Sequence, residues 1–137
     1  MDINIRKYEK EDFPKISKII EENFGGEKQV VETPDYITEY VAEVDGEVVG
    51  YFVLSLITNV VRGTNYYMVD YVCTDVSYQG KGVGKTMMRY VIEKAQEDRV
   101  KYIQLTCSAK RSCARHMYES LGFEVYDTNV YRMGIEL

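Results

Sequence analysis

No stretch of this sequence approaches the roughly 18 consecutive apolar residues that a membrane-spanning helix requires, so a soluble chain with no membrane partner is expected. Its three cysteines, Cys73, Cys107 and Cys113, are odd in number and lack the close pairing of a zinc site or a redox motif. Reduced thiols in a reducing compartment follow, with no metal. The single histidine, His116, has no sequence neighbour that marks it as catalytic, and a surface or packing role is expected. Positive charge is not in excess either. Seventeen basic residues against 22 acidic ones give a net charge of -5, which opposes nonspecific attraction to nucleic acid and fits a cationic small-molecule partner better. The opening run Met1 to Lys7 carries neither a long apolar core nor a small-residue cleavage site, so a cytoplasmic location is expected. Internal repeats and low-complexity segments are absent.

What remains is an ordinary globular composition, 45% apolar and 28% charged over 137 residues, enough for one compact domain spanning residues 1–137. Ile3 and Ile5 alternate with polar neighbours as in a half-buried strand, and Phe13, Ile16, Ile19, Ile20 and Phe24 share one face of a helix that begins near Pro14. Gly25-Gly26 ends it, and residues 27–35 show no period, so a loop or short helical turn is expected there. Residues 37–58 predict two strands joined at Asp45-Gly46, a dipeptide suited to a tight hairpin. A strand over about 66–74 precedes a glycine-rich turn, after which Val83, Met87, Met88, Val91, Ile92 and Ala95 mark an amphipathic helix ending near Asp98. Tyr102, Ile103 and Leu105 predict a short strand, and Ala114, Met117, Tyr118 and Leu121 a second helix capped by Gly122. Strand-like segments at 123–126 and 130–135 close the chain. The order strand, glycine turn, helix, strand, helix implies a parallel pair at the heart of a mixed sheet flanked by helices, an α/β arrangement. A chain that ends in a strand would also offer an edge for homodimerisation.

Gln79-Gly80-Lys81-Gly82-Val83-Gly84-Lys85-Thr86 lies between a strand and a helix, where glycines let backbone N–H groups approach a phosphate at the positive helix end. Three motif classes share this placement and differ in spacing. A Walker A loop needs a glycine where Gln79 stands, which argues against ATP hydrolysis. The dinucleotide fingerprint needs one where Lys85 or Met87 stands, which argues against NAD.

Gln79, Gly82 and Gly84 do fit Gln-x-x-Gly-x-Gly, and here the sequence resembles the GNAT acyltransferases, whose pyrophosphate-binding motif is Gln/Arg-x-x-Gly-x-Gly/Ala. Ala114-x-x-x-Tyr118-x-x-x-Gly122-Phe123 is similar to the ending of the same family's later helix. The resemblance extends to the preceding strand and to the N-terminal strand and helix, leaving the acceptor-binding segments uncovered. It implies the GNAT fold, with two splayed parallel strands at the cofactor site, and N-acetyl transfer from the cosubstrate acetyl-CoA to a primary amine. It equally allows a catalytically silent CoA-binding module. By the same resemblance, backbone groups of Gly80, Lys81, Gly82, Val83, Gly84, Lys85 and Thr86 would bind the pyrophosphate, and Val72, Cys73 and Thr74 the pantetheine arm.

Acetyl transfer from a thioester to an amine needs a neutral nitrogen, stabilisation of the developing oxyanion and a proton for the departing thiolate. Tyr118 falls at the family's tyrosine acid, and a phenol pKa of about 10 against roughly 8.5 for a thiol makes that donation sensible. Asp70 occupies the place where family members often carry a carboxylate that relays the amine proton; being shorter than the commoner glutamate, it would act through water or bind a cationic substrate. Arg111 departs from the family's asparagine, which contacts the cofactor arm; a guanidinium there would instead meet a phosphate, cap the helix region, or be an ordinary exposed arginine. Cys107 and Cys113 flank the strand-to-helix connection, where a covalent acetyl-cysteine is conceivable, although the family generally transfers directly.

Overall fold

The computed structural model of the chain describes residues 1–108 and 112–136, apart from the side chains of Ser112 and Cys113. The chain divides into two compact units, Met1–Thr106 and Cys107–Leu137. The first holds a five-stranded mixed sheet whose strands lie side by side in chain order: β1 (Asn4–Lys7), β2 (Ile37–Val44), β3 (Glu47–Asn59), β4 (Thr64–Thr74) and β5 (Ile103–Leu105). The first four pair antiparallel, and β5 runs parallel to β4, so the parallel pair expected from the strand–turn–helix order is present.

Helix α1 (Phe13–Phe24) carries Pro14 in its first turn, where a missing N–H costs no hydrogen bond, and ends at Gly25 with φ 76°. Its buried residues Ile16, Ile19 and Ile20 pack with Val41, Val48, Tyr51 and Cys73 on one face of the sheet. Phe24 shares the expected apolar stripe but is 37% exposed, its ring edge-on to Tyr71 at 5.1 Å. Arg6 fastens the start of α1, its guanidinium forking onto both carboxylate oxygens of the buried Asp12 at 2.9 Å.

Helix α2 (Val83–Glu97) covers the other face, burying Val83, Met87, Met88, Val91 and Ala95. Successive side chains along a strand alternate faces. Phe52 therefore stacks with Tyr40 at 5.0 Å and meets Tyr90 of α2 at 6.4 Å, while its neighbour Tyr51 faces α1. The central strand β3 is buried on both faces over Val48 to Phe52. Its Gly50 sits close under α2: a Cβ there would lie 3.0 Å from the Met87 sulfur and 3.1 Å from Val83 Cγ1, so a larger residue requires those side chains to shift. The hairpin between β2 and β3 turns at Asp45 (φ 50°) and Gly46 (φ 78°), as the dipeptide predicted.

In the second unit, helix α3 (Ser112–Ser120) stops at Gly122 (φ 100°). Phe123 N–H reaches back to the Tyr118 carbonyl at 3.0 Å and Gly122 N–H to Glu119 at 3.1 Å, the glycine-capped ending foreseen from sequence. The closing strands do not form. Residues 123–136 contain no strand, and Val125, Tyr126, Val130, Tyr131, Met133 and Ile135 are all at least 72% exposed. Their alternation gave the right propensity, but a strand exists only through pairing with a neighbour. The edge for dimerisation inferred from a terminal strand is accordingly not formed.

Candidate active site

Across β3 and β4 the register shifts. Val53 opposes Asp70 and Tyr51 opposes Cys73, so Phe52 alone faces Tyr71 and Val72. This is a β-bulge, and Tyr71 takes the strained left-handed φ of 56° within it. The parallel pairing of β4 with β5 covers only Tyr67–Ile103, Met68–Gln104 and Val69–Leu105. It stops one residue before the bulge, so β4 from Asp70 onward has no β5 partner in the register. An extended ligand could add there as a strand does. The backbone of Val72, Cys73 and Thr74 lies on this stretch. Cys73 offers only its backbone, since its side chain is buried beneath α1.

The turn after β4 is built by residues the sequence argument passed over. Asp75 accepts from Ser77 N–H at 3.0 Å and Ser77 Oγ at 2.8 Å, and Lys15 of α1 reaches its other oxygen at 2.8 Å. Chiefly because of the Lys15 ammonium, the Asp75 carboxyl is drawn down to about 2. Asp75-x-Ser77 is a sequence-readable Asx turn; the Lys15 tie is not, because it spans two distant elements. Gln79 is exposed, its amide 3.4 Å from both the Thr74 carbonyl and Asn23 Oδ1. Asn23 donates to the same Thr74 carbonyl at 3.0 Å. Gln79 thus stitches the turn to α1.

Gly80 (φ 77°) and Gly82 (φ 87°) both adopt left-handed backbone, and Gly82 is the N-cap of α2. The first helical bond of α2 runs from Thr86 N–H to the Gly82 carbonyl at 3.0 Å. The N–H groups of Val83, Gly84 and Lys85 precede it and point out of the helix end, where its dipole favours an anion. Lys81 and Lys85 add positive charge, with the Lys81 ammonium lying 5.1 Å over the Tyr78 ring. Thr86 spends both its N–H, at 3.0 Å, and its hydroxyl, at 2.9 Å, on the Gly82 carbonyl, and the Val83 side chain is buried, leaving the backbone N–H as what Val83 presents.

Asp70 is half-buried on the α1 face, and burial raises its pKa above the usual carboxylate value, which makes it a stronger base once ionised. Tyr118 is half-buried on α3, edge-on to Phe123 at 5.9 Å. His116 is exposed on the same helix, and Cys107 holds its thiol 3.6 Å from the Ser108 carbonyl. Arg111 and the Cys113 side chain lie outside the described residues.

A family model described as the Acetyltransferase (GNAT) family matches residues 3–123. Among solved structures, a transcriptional regulator from Bacillus halodurans C-125 superposes with TM-score 0.87 at 21% identity, covering 98% of this chain and 100% of that one. A ribosomal-protein-alanine N-acetyltransferase from Brucella melitensis biovar Abortus 2308 gives 0.77 at 20% identity, over 97% and 100%. An aminoglycoside acetyltransferase from an uncultured soil metagenomic sample, in complex with trehalose, gives 0.81 at 14% identity, over 98% and 97%. At such identities these neighbours speak to the fold. No curated protein matches the sequence. Among the described residues no helix is long and apolar enough to cross a membrane, and no cluster of three or more His, Cys, Asp or Glu could hold a metal ion.

Proposed function

Because the chain belongs to the GNAT family of acetyltransferases, matched over residues 3–123, we propose that it is an N-acetyltransferase moving the acetyl group of acetyl-CoA to a primary amine. One observation carries the reading: in a single run of chain, the stretch of β4 that continues past its register with β5 leads through the Asp75 turn into a helix end whose amides face outward. A pantetheine arm with amides along its length suits the first, and a pyrophosphate suits the second. The reading treats both units as one acetyltransferase domain working in the cytoplasm.

Acetyl-CoA supplies the activated thioester. The amides of Gly82 to Lys85 would hold its pyrophosphate, and the backbone of Val72 to Thr74, past the β5 register, would fix the reach of the arm. Asp70 would take the proton that frees the amine lone pair, either directly or through water. Its raised pKa strengthens it for that task. Once the amine nitrogen has bonded to the acetyl carbon and the C–S bond breaks, Tyr118 would return a proton to sulfur, a role resting on the Ala114 to Phe123 motif.

The test is amine-dependent release of CoA thiol. Purified protein with acetyl-CoA is screened against aliphatic amines, amino sugars and peptides, and the reading requires release that needs both protein and amine. Tight acetyl-CoA binding with no release across the panel would instead mark a silent binding module.

A further inference from the structure

The segment that joins α1 to β2 contains no helix or strand, and from Phe24 to Tyr36 every residue is exposed except Lys28. Gly25 and Gly26, both left-handed (φ 76° and 75°), let the chain leave α1 freely. Lys28 does not follow its neighbours into solvent. Its side chain is only 11% exposed, and its ammonium pairs with Glu39 of β2 at 2.8 Å. Three aromatic rings surround that ammonium: Tyr8 at 5.0 Å, and Phe13 and Tyr51 at 6.0 Å each. Tyr51 donates its hydroxyl to the same Glu39 oxygen at 2.5 Å, and the Tyr8 and Tyr51 rings stand edge-to-face at 6.2 Å. Aromatic faces and a carboxylate arranged around one point form a receptor for an alkylammonium ion.

This cage shares its sheet face with Asp70. Glu39 pairs with Val53, and Val53 with Asp70, in one cross-strand row, and directly opposed residues point to the same side. At two strand spacings, Glu39 and Asp70 stand about 10 Å apart at the backbone. Between them lies Val53, half-buried and packed against the α1 cluster. Two carboxylates separated by an apolar floor complement a dication with an aliphatic spacer.

We propose that the Tyr8–Phe13–Tyr51–Glu39 cage is the recognition subsite for the distal ammonium of an aliphatic diamine acceptor, with Lys28 as its resident occupant in the free protein. The acceptor's second nitrogen then lies along the row toward Asp70. Lys28 holds an otherwise exposed segment against the sheet until an incoming ammonium takes its place. The assignment of the second nitrogen as the reacting one rests on the acetyltransferase reading; the cation site itself does not.

The experiment therefore omits acetyl-CoA. Wild type and Lys28→Met are titrated with putrescine at constant ionic strength, following the Tyr8 and Tyr51 ring resonances, with n-butylamine as the monoamine control. Removing the resident ammonium should tighten putrescine binding by about tenfold or more, since an occupied cage is competent only in the fraction of molecules where Lys28 is out. Glu39→Gln in the Lys28→Met background should abolish that gain. Folded Lys28→Met that binds putrescine no better than wild type would overturn the proposal, and n-butylamine binding as tightly as putrescine would overturn the diamine assignment. Should the variants not fold, wild type decides: saturable ring shifts with putrescine support the cage, and their absence up to high millimolar concentration refutes it. Failure here leaves acetyl-CoA binding untouched, so the two readings fall separately.

Discussion

The amide cradle at the start of α2 can be tested by placing a negative charge where the pyrophosphate is proposed to sit. Gly82 suits this because a Cβ built on it meets nothing within 4 Å, and only its φ of +87° opposes a side chain. Gly82→Ala and Gly82→Asp both incur that backbone cost, roughly 1–2 kcal/mol for an ordinary residue and less for aspartate, which tolerates the left-handed region. They differ in the charge. A carboxylate about 5 Å from the bound pyrophosphate repels each phosphate charge by about 3 kcal/mol at an effective dielectric of 20, and by about 0.8 kcal/mol if fully screened by water. The Asp variant should therefore bind acetyl-CoA about 10- to 100-fold more weakly than the Ala variant, which should stay near wild type. Calorimetric titration at about 0.1 M and about 1 M salt separates the two, because the Asp penalty should shrink as the screening length falls from about 10 Å to about 3 Å. If Asp and Ala variants bind within about twofold of each other at low salt, the pyrophosphate does not lie at these amides.

Three further outcomes follow from named residues. Asp75→Asn keeps an oxygen for the Ser77 amide but loses the Lys15 ion pair; since the folded carboxyl sits near 2 rather than 3.8, the loss should be about 2 kcal/mol at neutral pH, less whatever solvent screening at the partly exposed Lys15 removes. A carboxyl held low in the folded state stabilises above its unfolded pKa of about 3.9 and ceases to do so as pH falls toward 2. The gap in melting temperature between wild type and variant should accordingly close from pH 5 downward, and a pH-independent gap would refute the ion-pair account. Asp70→Asn should lower the transfer rate and remove the acidic limb of the pH–rate profile, a limb expected above the usual carboxylate range because burial raises this group; an unchanged limb would point to another base. Tyr118→Phe keeps the ring against Phe123 and deletes only the hydroxyl, so single-turnover transfer should fall by roughly 10²- to 10⁴-fold with acetyl-CoA affinity little changed, whereas a rate within about twofold of wild type returns Tyr118 to packing.

Much of the framework was legible in the sequence because it depends on local chemistry. Asp45-Gly46 dictates a hairpin, Pro14 and Gly25 bracket a helix, and Gly80 and Gly82 announce a left-handed turn, all through backbone preferences a residue carries with it. What escaped depends on pairing between distant strands or elements. The β4 bulge ahead of Cys73 and Thr74 appears only in the register with β3, and nothing in Tyr71 signals its positive φ. Lys15 with Asp75, Gly50 beneath Met87, and Lys28 in its aromatic cage are tertiary meetings between different elements of the chain, where pattern reading has no purchase. Gln79 is a mixed case: its place in the motif is a local pattern, while the bonds of its amide to Thr74 and Asn23 join distant elements. The strands expected at 123–126 and 130–135 failed for the same reason in reverse, an alternating pattern without a paired neighbour.

The central claim is that this chain carries acetyl-CoA across β4 and the start of α2. Calorimetric titration of folded wild-type protein with acetyl-CoA tests it most directly. A single saturable site with micromolar affinity, lost in Gly82→Asp and retained in Gly82→Ala, is the expected result. Folded protein that takes up no acetyl-CoA at high micromolar concentration would contradict it.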